Sequence, residues 1–158
     1  MATAIYEIVR VGGLGGSQRR EVVFLRQDCN ADLNAHAVFA ALEGRAEMDV
    51  RSRMDYWIGG GTCETYFHGW PGHQVYGTCF VFKWKTLRVR QRMYGFLDNP
   101  LPRSNPAFQL CVLCSHDTKT QHETDRNLLE KAVALRNDPQ VRSALAAAYP
   151  DTRALVRR

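Results

Sequence analysis

Basic side chains at alternate positions of one segment are the residues of this sequence best suited to chemistry. In the run TLRVRQRMYGF, Arg88, Arg90 and Arg92 recur two positions apart and are followed by Tyr94. Because side chains alternate between the two faces of an extended strand, these four would share one face. Like charges side by side on a sheet repel each other, so the row indicates an anionic partner. The chemistry we expect of it is binding of a phosphate backbone.

The flanking segments complete an expected sheet. FVFKWK places Phe80, Phe82 and Trp84 on one face and two lysines on the other, while AFQLCVLCSH is apolar almost to its end. We therefore expect three antiparallel strands with a buried face and a cationic face. The nucleic-acid contacts that this pattern predicts are Lys83, Lys85, Arg88 and Arg90.

Other elements must hold this sheet in place. The runs IYEIVRV and EVVFLRQ predict an N-terminal hairpin around the loop GGLGGSQRR, because glycine clusters between two β-prone runs mark turns. Amphipathic patterns predict helices in residues 28–45 and 46–60 and two more after residue 124. We expect an α+β fold with an antiparallel curved sheet of about four to six strands, two helices packed on one face, and C-terminal helices.

Length and composition suit a single domain with a real core. The chain has 158 residues, 45% of them apolar, and shows no internal repeat or low-complexity linker. A net charge of +5 favours an acidic partner such as nucleic acid, although many small enzymes carry a similar charge. No apolar run has the length of a membrane span, and the first residues lack the apolar core of a signal peptide, so we expect a cytoplasmic protein without membrane contact.

The cysteines do not indicate a metal site. Their number is odd and most lie in apolar surroundings, which predicts reduced thiols. Cys111 and Cys114 are three residues apart in one strand and would point to opposite faces, so they could not share a metal ion. A second group lacks the paired spacing of zinc modules; it consists of Cys63, His68, His73 and Cys79. We expect no metal and no cofactor.

The order of these patterns resembles the RelE/ParE toxin superfamily, especially its HigB-like, phage-protein-like branch. Two helices precede an antiparallel sheet with a K-W-K and an R-x-R-x-R-x-Y-G-F strand, and an apolar strand then ends in S-H-x-x-K-x-x-H. The similarity covers roughly residues 20–137. It implies a single RelE-like domain over residues 1–158, with an N-terminal hairpin and a C-terminal helical extension in addition.

The resemblance also implies a function: the toxin of a type II toxin-antitoxin system, acting as a metal-independent mRNA endoribonuclease on the ribosome and silenced by a cognate antitoxin. Cleavage through the 2′-OH needs a base, an acid, and cations beside the phosphorane. Histidine suits the first two roles because its pKa lies near neutrality. The catalytic residues that the resemblance suggests are His116, His122, Lys119, Arg92 and Tyr94. This hypothesis requires the arginine row and both imidazoles to line a common hollow.

A second class of function stays open. A non-enzymatic phage or mobile-element protein could use the cationic face to bind nucleic acid or an acidic host protein, and would need the arginines but not the histidines. Purely structural interpretations also exist. The arginines could pair with carboxylates of their own chain, the lysines could protect a sheet edge, the histidines could be ordinary loop residues, and Tyr94 with Gly95 could pack at a bend of the core.

Overall fold

The computed structural model describes residues 5–14, 19–119 and 125–152, with only the backbone described at Lys119. It confirms the α+β class. The elements, in chain order, are β1 (Tyr6–Arg10), β2 (Arg20–Gln27), α1 (Ala35–Ala41), α2 (Gly44–Ile58), β3 (Phe67–Gly69), β4 (Cys79–Thr86), β5 (Val89–Asp98), β6 (Gln109–Lys119), α3 (Arg126–Asn137) and α4 (Pro139–Ala148).

The strands form one six-stranded sheet in the order β1-β2-β6-β5-β4-β3. Neighbouring strands are antiparallel except β2 and β6, which run parallel, so the sheet is mixed where the sequence pattern predicted antiparallel strands throughout. Parallel pairing requires a long crossover, and here α1, α2 and the β3–β5 segment supply it. Apolar alternation identifies the faces of a strand but not its direction.

Helices cover both faces of this sheet. On the first face, α1 and α2 pack against Phe24, Phe82 and Trp84. On the opposite face, α4 packs against the β2–β6 region, which includes Val23 and Val112, while α3 packs against β4 and β5. The central strands β2 and β6 are consequently apolar on both sides, as strands buried between two layers must be. Among the described residues, no helix has the length and apolar character needed to cross a membrane.

Four helices form in the segments where they are predicted, but α1 is limited to Ala35–Ala41 of the segment 28–45, and Gly44 begins α2 instead of ending the first helix. The apolar stripe of α2 buries Val50, Met54 and Trp57, as expected from their spacing. Asp125 caps α3, because its carboxylate accepts a hydrogen bond from the backbone N–H of Asn127 at 2.9 Å. Asp138 caps α4 in the same way, with Pro139 in the first turn where its missing N–H costs nothing.

A bulge interrupts the pairing of β5 with β6. Tyr94 lies opposite Ser115, whereas the next residue, Gly95, lies opposite Leu113, so Cys114 is the extra residue of β6. The backbones approach closely at this point: a Cβ built on Gly95 would lie 1.9 Å from the carbonyl oxygen of Val112. Glycine is therefore required, in agreement with the interpretation that Tyr94 and Gly95 pack at a bend.

We predict that Gly95→Ala destabilises the fold by about 2–4 kcal/mol, because the added methyl group must displace the main chain of β6 rather than a side chain. Urea unfolding followed by circular dichroism measures this change. Gly12→Ala is the matched control, since no heavy atom lies within 4 Å of its added Cβ. Equal urea midpoints for Gly95→Ala and the unaltered chain would contradict this prediction, because they would show that the β6 backbone moves aside at no cost in stability.

The turn between β4 and β5 has an unusual composition. Thr86 and Val89 form the last pair of the hairpin, so Leu87 and Arg88 make up the turn. Both have positive φ, 49° and 69°, as in a type I′ turn. Sequences with this turn favour Asn-Gly, because a branched side chain with positive φ meets its own backbone. The hairpin tip therefore stores backbone strain.

Replacement of the turn by Leu87→Asn with Arg88→Gly should relieve that strain. We expect the free energy of unfolding to rise by about 1–2 kcal/mol, since each residue held in an unfavourable backbone region costs energy of this order. Thermal and urea unfolding test the expectation. A lower stability of the double variant would mean that Leu87 or Arg88 makes stabilising contacts that outweigh the strain.

Candidate nucleic-acid interface

Four basic side chains share one face of the sheet at the hairpin end of β4 and β5. The register pairs Lys83 with Arg92 and Lys85 with Arg90, and directly paired residues of neighbouring strands point to the same face. We call this group the basic face. Arg88 differs from the prediction: it lies in the turn rather than in the strand, and so stands at the hairpin tip beside the basic face.

Ion pairs occupy many of the basic side chains elsewhere. Each of seven lies within 4.0 Å of a carboxylate oxygen; they are Arg10, Arg26, Arg45, Arg51, Lys131, Arg136 and Arg142. No carboxylate of the described residues lies within that distance of the side chains of Lys85, Arg88, Arg90 or Arg92. In the described part of the chain, the row is not neutralised by the protein's own carboxylates.

Two members of the basic face are partly engaged by main-chain oxygens. The ammonium of Lys83 donates a hydrogen bond to the carbonyl of Glu64, and Nη1 of Arg92 donates to the carbonyl of Gln91 at 3.1 Å. Arg92 is half-buried, and this burial lowers its pKa. The neighbouring Arg90 lowers the pKa of Arg92 further, while Tyr94 raises it. Of the four residues of the basic face, Lys85 and Arg90 are thus the two most available to a ligand, and Lys85 is exposed.

One acidic residue lies next to these cations. Asp117 of β6 is the register partner of Arg92, so its side chain points to the same face. It forms no ion pair within 4.0 Å among the described residues. Asp117 reduces the positive potential on the β6 side of the basic face, and this favours anion binding on the β4 side, near Lys85 and Arg90.

Tyr94 belongs to the core rather than to an exposed surface. It is 2% exposed and packs with Val81, Leu129 and Ala132 beneath α3. Burial raises the pKa of Tyr94 to about 12, with Arg92 lowering it and nearby carboxylates raising it. A ring in this position cannot stack on a base, and its hydroxyl stays protonated at neutral pH. The interpretation as core packing accounts for it.

His116 lies on the face of the sheet opposite the basic face. Its register partner is Met93, which points towards α1 and α2, whereas Arg90 and Arg92 point away from them. The imidazole Nε2 is 2.6 Å from Oε1 of Gln91, and the ring centre is 5.9 Å from that of Trp84. The sheet therefore separates His116 from the arginines, and the expected common hollow does not form with this histidine.

The remaining catalytic candidates lie at the limit of the described chain. Lys119 ends β6, and its backbone is paired opposite Arg90. Its side chain and the whole of His122 lie outside the described residues. The role suggested for each therefore stays a prediction.

Two residues of this region were not predicted from the sequence. Gln91 holds the imidazole of His116, and Leu87 stands at the hairpin tip with its side chain 93% exposed. A signal for the turn does exist. The side chains that face α1 and α2 have even numbers in β4, as in Phe82 and Trp84, but an odd number in β5, as in Met93. A turn of two residues between paired strands produces this change from even to odd.

In the part of the chain that the structure describes, the cysteines and histidines form no candidate metal site. All five cysteines are free thiols; Cys111 packs on the α1–α2 side and Cys114 on the α3–α4 side, as their spacing predicts. Within residues 5–14, 19–119 and 125–152, no three His, Cys, Asp or Glu side chains are arranged to hold a metal ion.

We predict that His116 makes folding stability depend on pH. Burial lowers its pKa below the ordinary value of 6.5, against a weaker opposite effect of Asp117. The unfolded chain then binds the proton more tightly than the folded one. The contribution of His116 to the free energy of unfolding is fully present above a pH of about 6.5 and is lost as the pH falls through the pKa of the folded state. Urea unfolding at pH 7.5 and 5 should show this loss in the unaltered chain and less of it in His116→Gln. An NMR titration that places the pKa of His116 above 6.5 would contradict the assignment.

The chain was compared with protein-family models, with curated proteins and with solved structures. None of the three comparisons gave a match. The resemblance to the RelE/ParE superfamily accordingly stays a prediction, and the functional argument rests on where the fold places its charges.

Proposed function

We propose that this protein binds nucleic acid through the basic face and the adjoining hairpin tip. The observation that supports the proposal is a cluster of cations without carboxylate partners: among the described residues Lys85, Arg88, Arg90 and Arg92 have none and lie together in one hairpin, whereas seven basic side chains elsewhere are ion-paired. Keeping unneutralised cations together is unfavourable in the free protein, and an anionic ligand reverses that cost.

The spacing of these cations suits a phosphate backbone. Alternate residues of a strand are about 6.8 Å apart, and residues paired across two strands about 5 Å apart, so Lys85, Arg90 and Arg92 offer a two-dimensional array of positive charge. Guanidinium groups hold two phosphate oxygens at once, which gives geometry as well as attraction. Contacts of this kind position a backbone without reading its sequence.

A binding function agrees better with the geometry than a nuclease that uses His116. A general base must come within about 3 Å of the proton that it removes. A phosphate held by Arg90 and Arg92 lies across the sheet from the His116 imidazole. The ribonuclease hypothesis, with mRNA and the ribosome as targets and an antitoxin as inhibitor, would have to draw its acid and base from residues other than His116.

We predict that the double substitution Lys85→Gln with Arg90→Gln weakens binding to a fluorescein-labelled RNA of 20 nucleotides, or to a DNA of 20 base pairs, by about tenfold or more in 0.1 M salt. Each lost phosphate contact should also reduce the slope of log K against log salt concentration by about 0.7–0.9. Fluorescence anisotropy at several salt concentrations measures both quantities. Affinities unchanged by the double substitution would refute the proposal.

Arg45→Gln with Lys131→Gln is the matched control for that experiment. It removes the same net charge, but from an exposed arginine of α2 and a lysine of α3 that are paired with Asp49 and Asp32. We expect its affinity to stay within about twofold of the unaltered protein. An equal loss in both double variants would mean that net charge alone, and not the basic face, attracts the ligand.

Cleavage is tested in parallel. The labelled RNA is incubated with the unaltered protein and with His116→Gln, and the products are separated by size. The proposal expects intact RNA in both samples. Cleavage by the unaltered protein that His116→Gln abolishes, at equal binding, would instead support catalysis by this histidine.

A further inference from the structure

Leu87 is the most exposed of the large apolar side chains in the described part of the chain. It is 93% exposed, and the neighbouring Val89 is 42% exposed. Cations lie beside Leu87 in the hairpin: Arg88 follows it in the turn, and Lys85 pairs with Arg90 directly after the last pair, Thr86 with Val89. The tip therefore presents an exposed apolar side chain next to positive charges in the turn and on one face of the hairpin.

This arrangement is not what hairpin stability alone would favour. Leu87 and Arg88 adopt φ values of 49° and 69°, where Asn and Gly are the preferred residues. An exposed leucine gains nothing from burial, so its side chain offsets none of this strain within the protein. Strained positions that carry no stabilising contact are characteristic of contacts made with a ligand.

We infer that the β4–β5 hairpin tip is a wedge for double-stranded DNA. In this arrangement, which rests on the proposed function, Leu87 enters the minor groove and inserts against a base step, Arg88 lies in the groove beside it, and Lys85 and Arg90 contact the flanking phosphates. Apolar side chains used in this way partly unstack a step and bend the duplex. Arginine is attracted to a narrow minor groove by its strong negative potential.

The composition of the hairpin favours a duplex over a single strand. Proteins that bind single strands use exposed aromatic rings as stacking surfaces. The aromatic residues of β4 and β5 nearest to the tip, Trp84 and Tyr94, are each 2% exposed and face the core. A duplex keeps its bases stacked on each other, and one leucine is sufficient to open a step.

An anionic membrane surface is the main competing partner for an apolar tip among cations. Membrane binding requires a large apolar area together with the charge. Leu87 and Val89 supply two side chains at the tip, and the other exposed large apolar side chains of the described residues lie on different elements. DNA is therefore the better match, and the test includes vesicles.

The experiment uses a 20-base-pair DNA with 2-aminopurine at a central TA step, because this base fluoresces more strongly when it is unstacked. Anisotropy of a labelled copy gives the affinity. We expect the unaltered protein to raise the 2-aminopurine fluorescence at least twofold at saturation. Leu87→Asn should abolish the increase and weaken binding about fivefold to tenfold. Asn is preferred in this turn, so the variant keeps the hairpin.

Matched samples separate the possible outcomes. Met48→Ser removes another exposed apolar side chain, 67% exposed on α2, and should change neither signal. Duplex RNA of the same sequence should bind at least about tenfold more weakly and single-stranded DNA should also bind more weakly, because neither presents the narrow minor groove of B-form DNA. Vesicles of phosphatidylcholine and phosphatidylserine should not bind.

The results distinguish failure of the wedge from failure of the proposed function. Duplex binding that needs Lys85 and Arg90 but is unaffected by Leu87→Asn, without a fluorescence change, would overturn the wedge and leave nucleic-acid binding in place. The absence of binding to any nucleic acid would overturn both. Vesicle binding that depends on Leu87, together with the absence of binding to any nucleic acid, would assign the tip to membranes and likewise overturn both.

Discussion

The register of β5 between its two neighbours is the constraint on which the rest of the structure depends. Side chains of a strand alternate between faces, so a fixed register determines which residues of β4, β5 and β6 meet. Here it assembles lysines and arginines on one face and directs Met93 and His116 to the other. Charge attraction does not produce this grouping; backbone hydrogen bonding and the burial of apolar residues on both faces do.

The helices determine which part of that face stays open. Asp98, at the far end of β5, is ion-paired with Arg136 at 3.2 Å and with Arg142 at 3.0 Å, and its side chain is 4% exposed. These contacts fasten α3 and the start of α4 over one end of the sheet. Removing both arginines would leave the buried Asp98 carboxylate uncompensated, which is costly. At the hairpin end of β4 and β5, Lys85 and the adjoining Arg88 are exposed among the described residues, which leaves this end of the sheet open to a ligand.

Apolar periodicity was sufficient to predict much of this fold. The presence of four helices and their buried residues follows from spacing, and so do the N-terminal hairpin and the strand assignments around Phe82 and Val112, but the ends of α1 do not. The parallel pairing of β2 with β6 could not be predicted, because it depends on how the chain returns after a crossover of about eighty residues. The β4–β5 turn was missed, since Leu87 and Arg88 carry none of the usual turn residues.

The candidate site was predicted in part. The shared face of Lys83, Lys85, Arg90 and Arg92 followed from alternation, whereas the exposure of Leu87 and the burial of Tyr94 required coordinates. The expected meeting of His116 with the arginines placed this histidine at the end of the last strand, whereas β6 continues to Lys119 and its pairing puts His116 on the opposite face. Alternation along a strand is reliable only while the pairing has no extra residue, and one-residue bulges have no dependable signature in a single sequence.

Cys114 thus has an effect far larger than its size. If β6 had no bulge and kept its pairing of Val112 with Phe96, counting along the two strands would place His116, rather than Asp117, opposite Arg92. That shift of register by one residue, with Cys114 paired instead of bulged, would exchange an acidic neighbour of the guanidinium groups for an imidazole; deletion of Cys114 would instead leave His116 opposite Met93. In evolutionary terms, a surface that attracts polyanions and one that also carries a proton-transferring group are one residue of register apart on this scaffold.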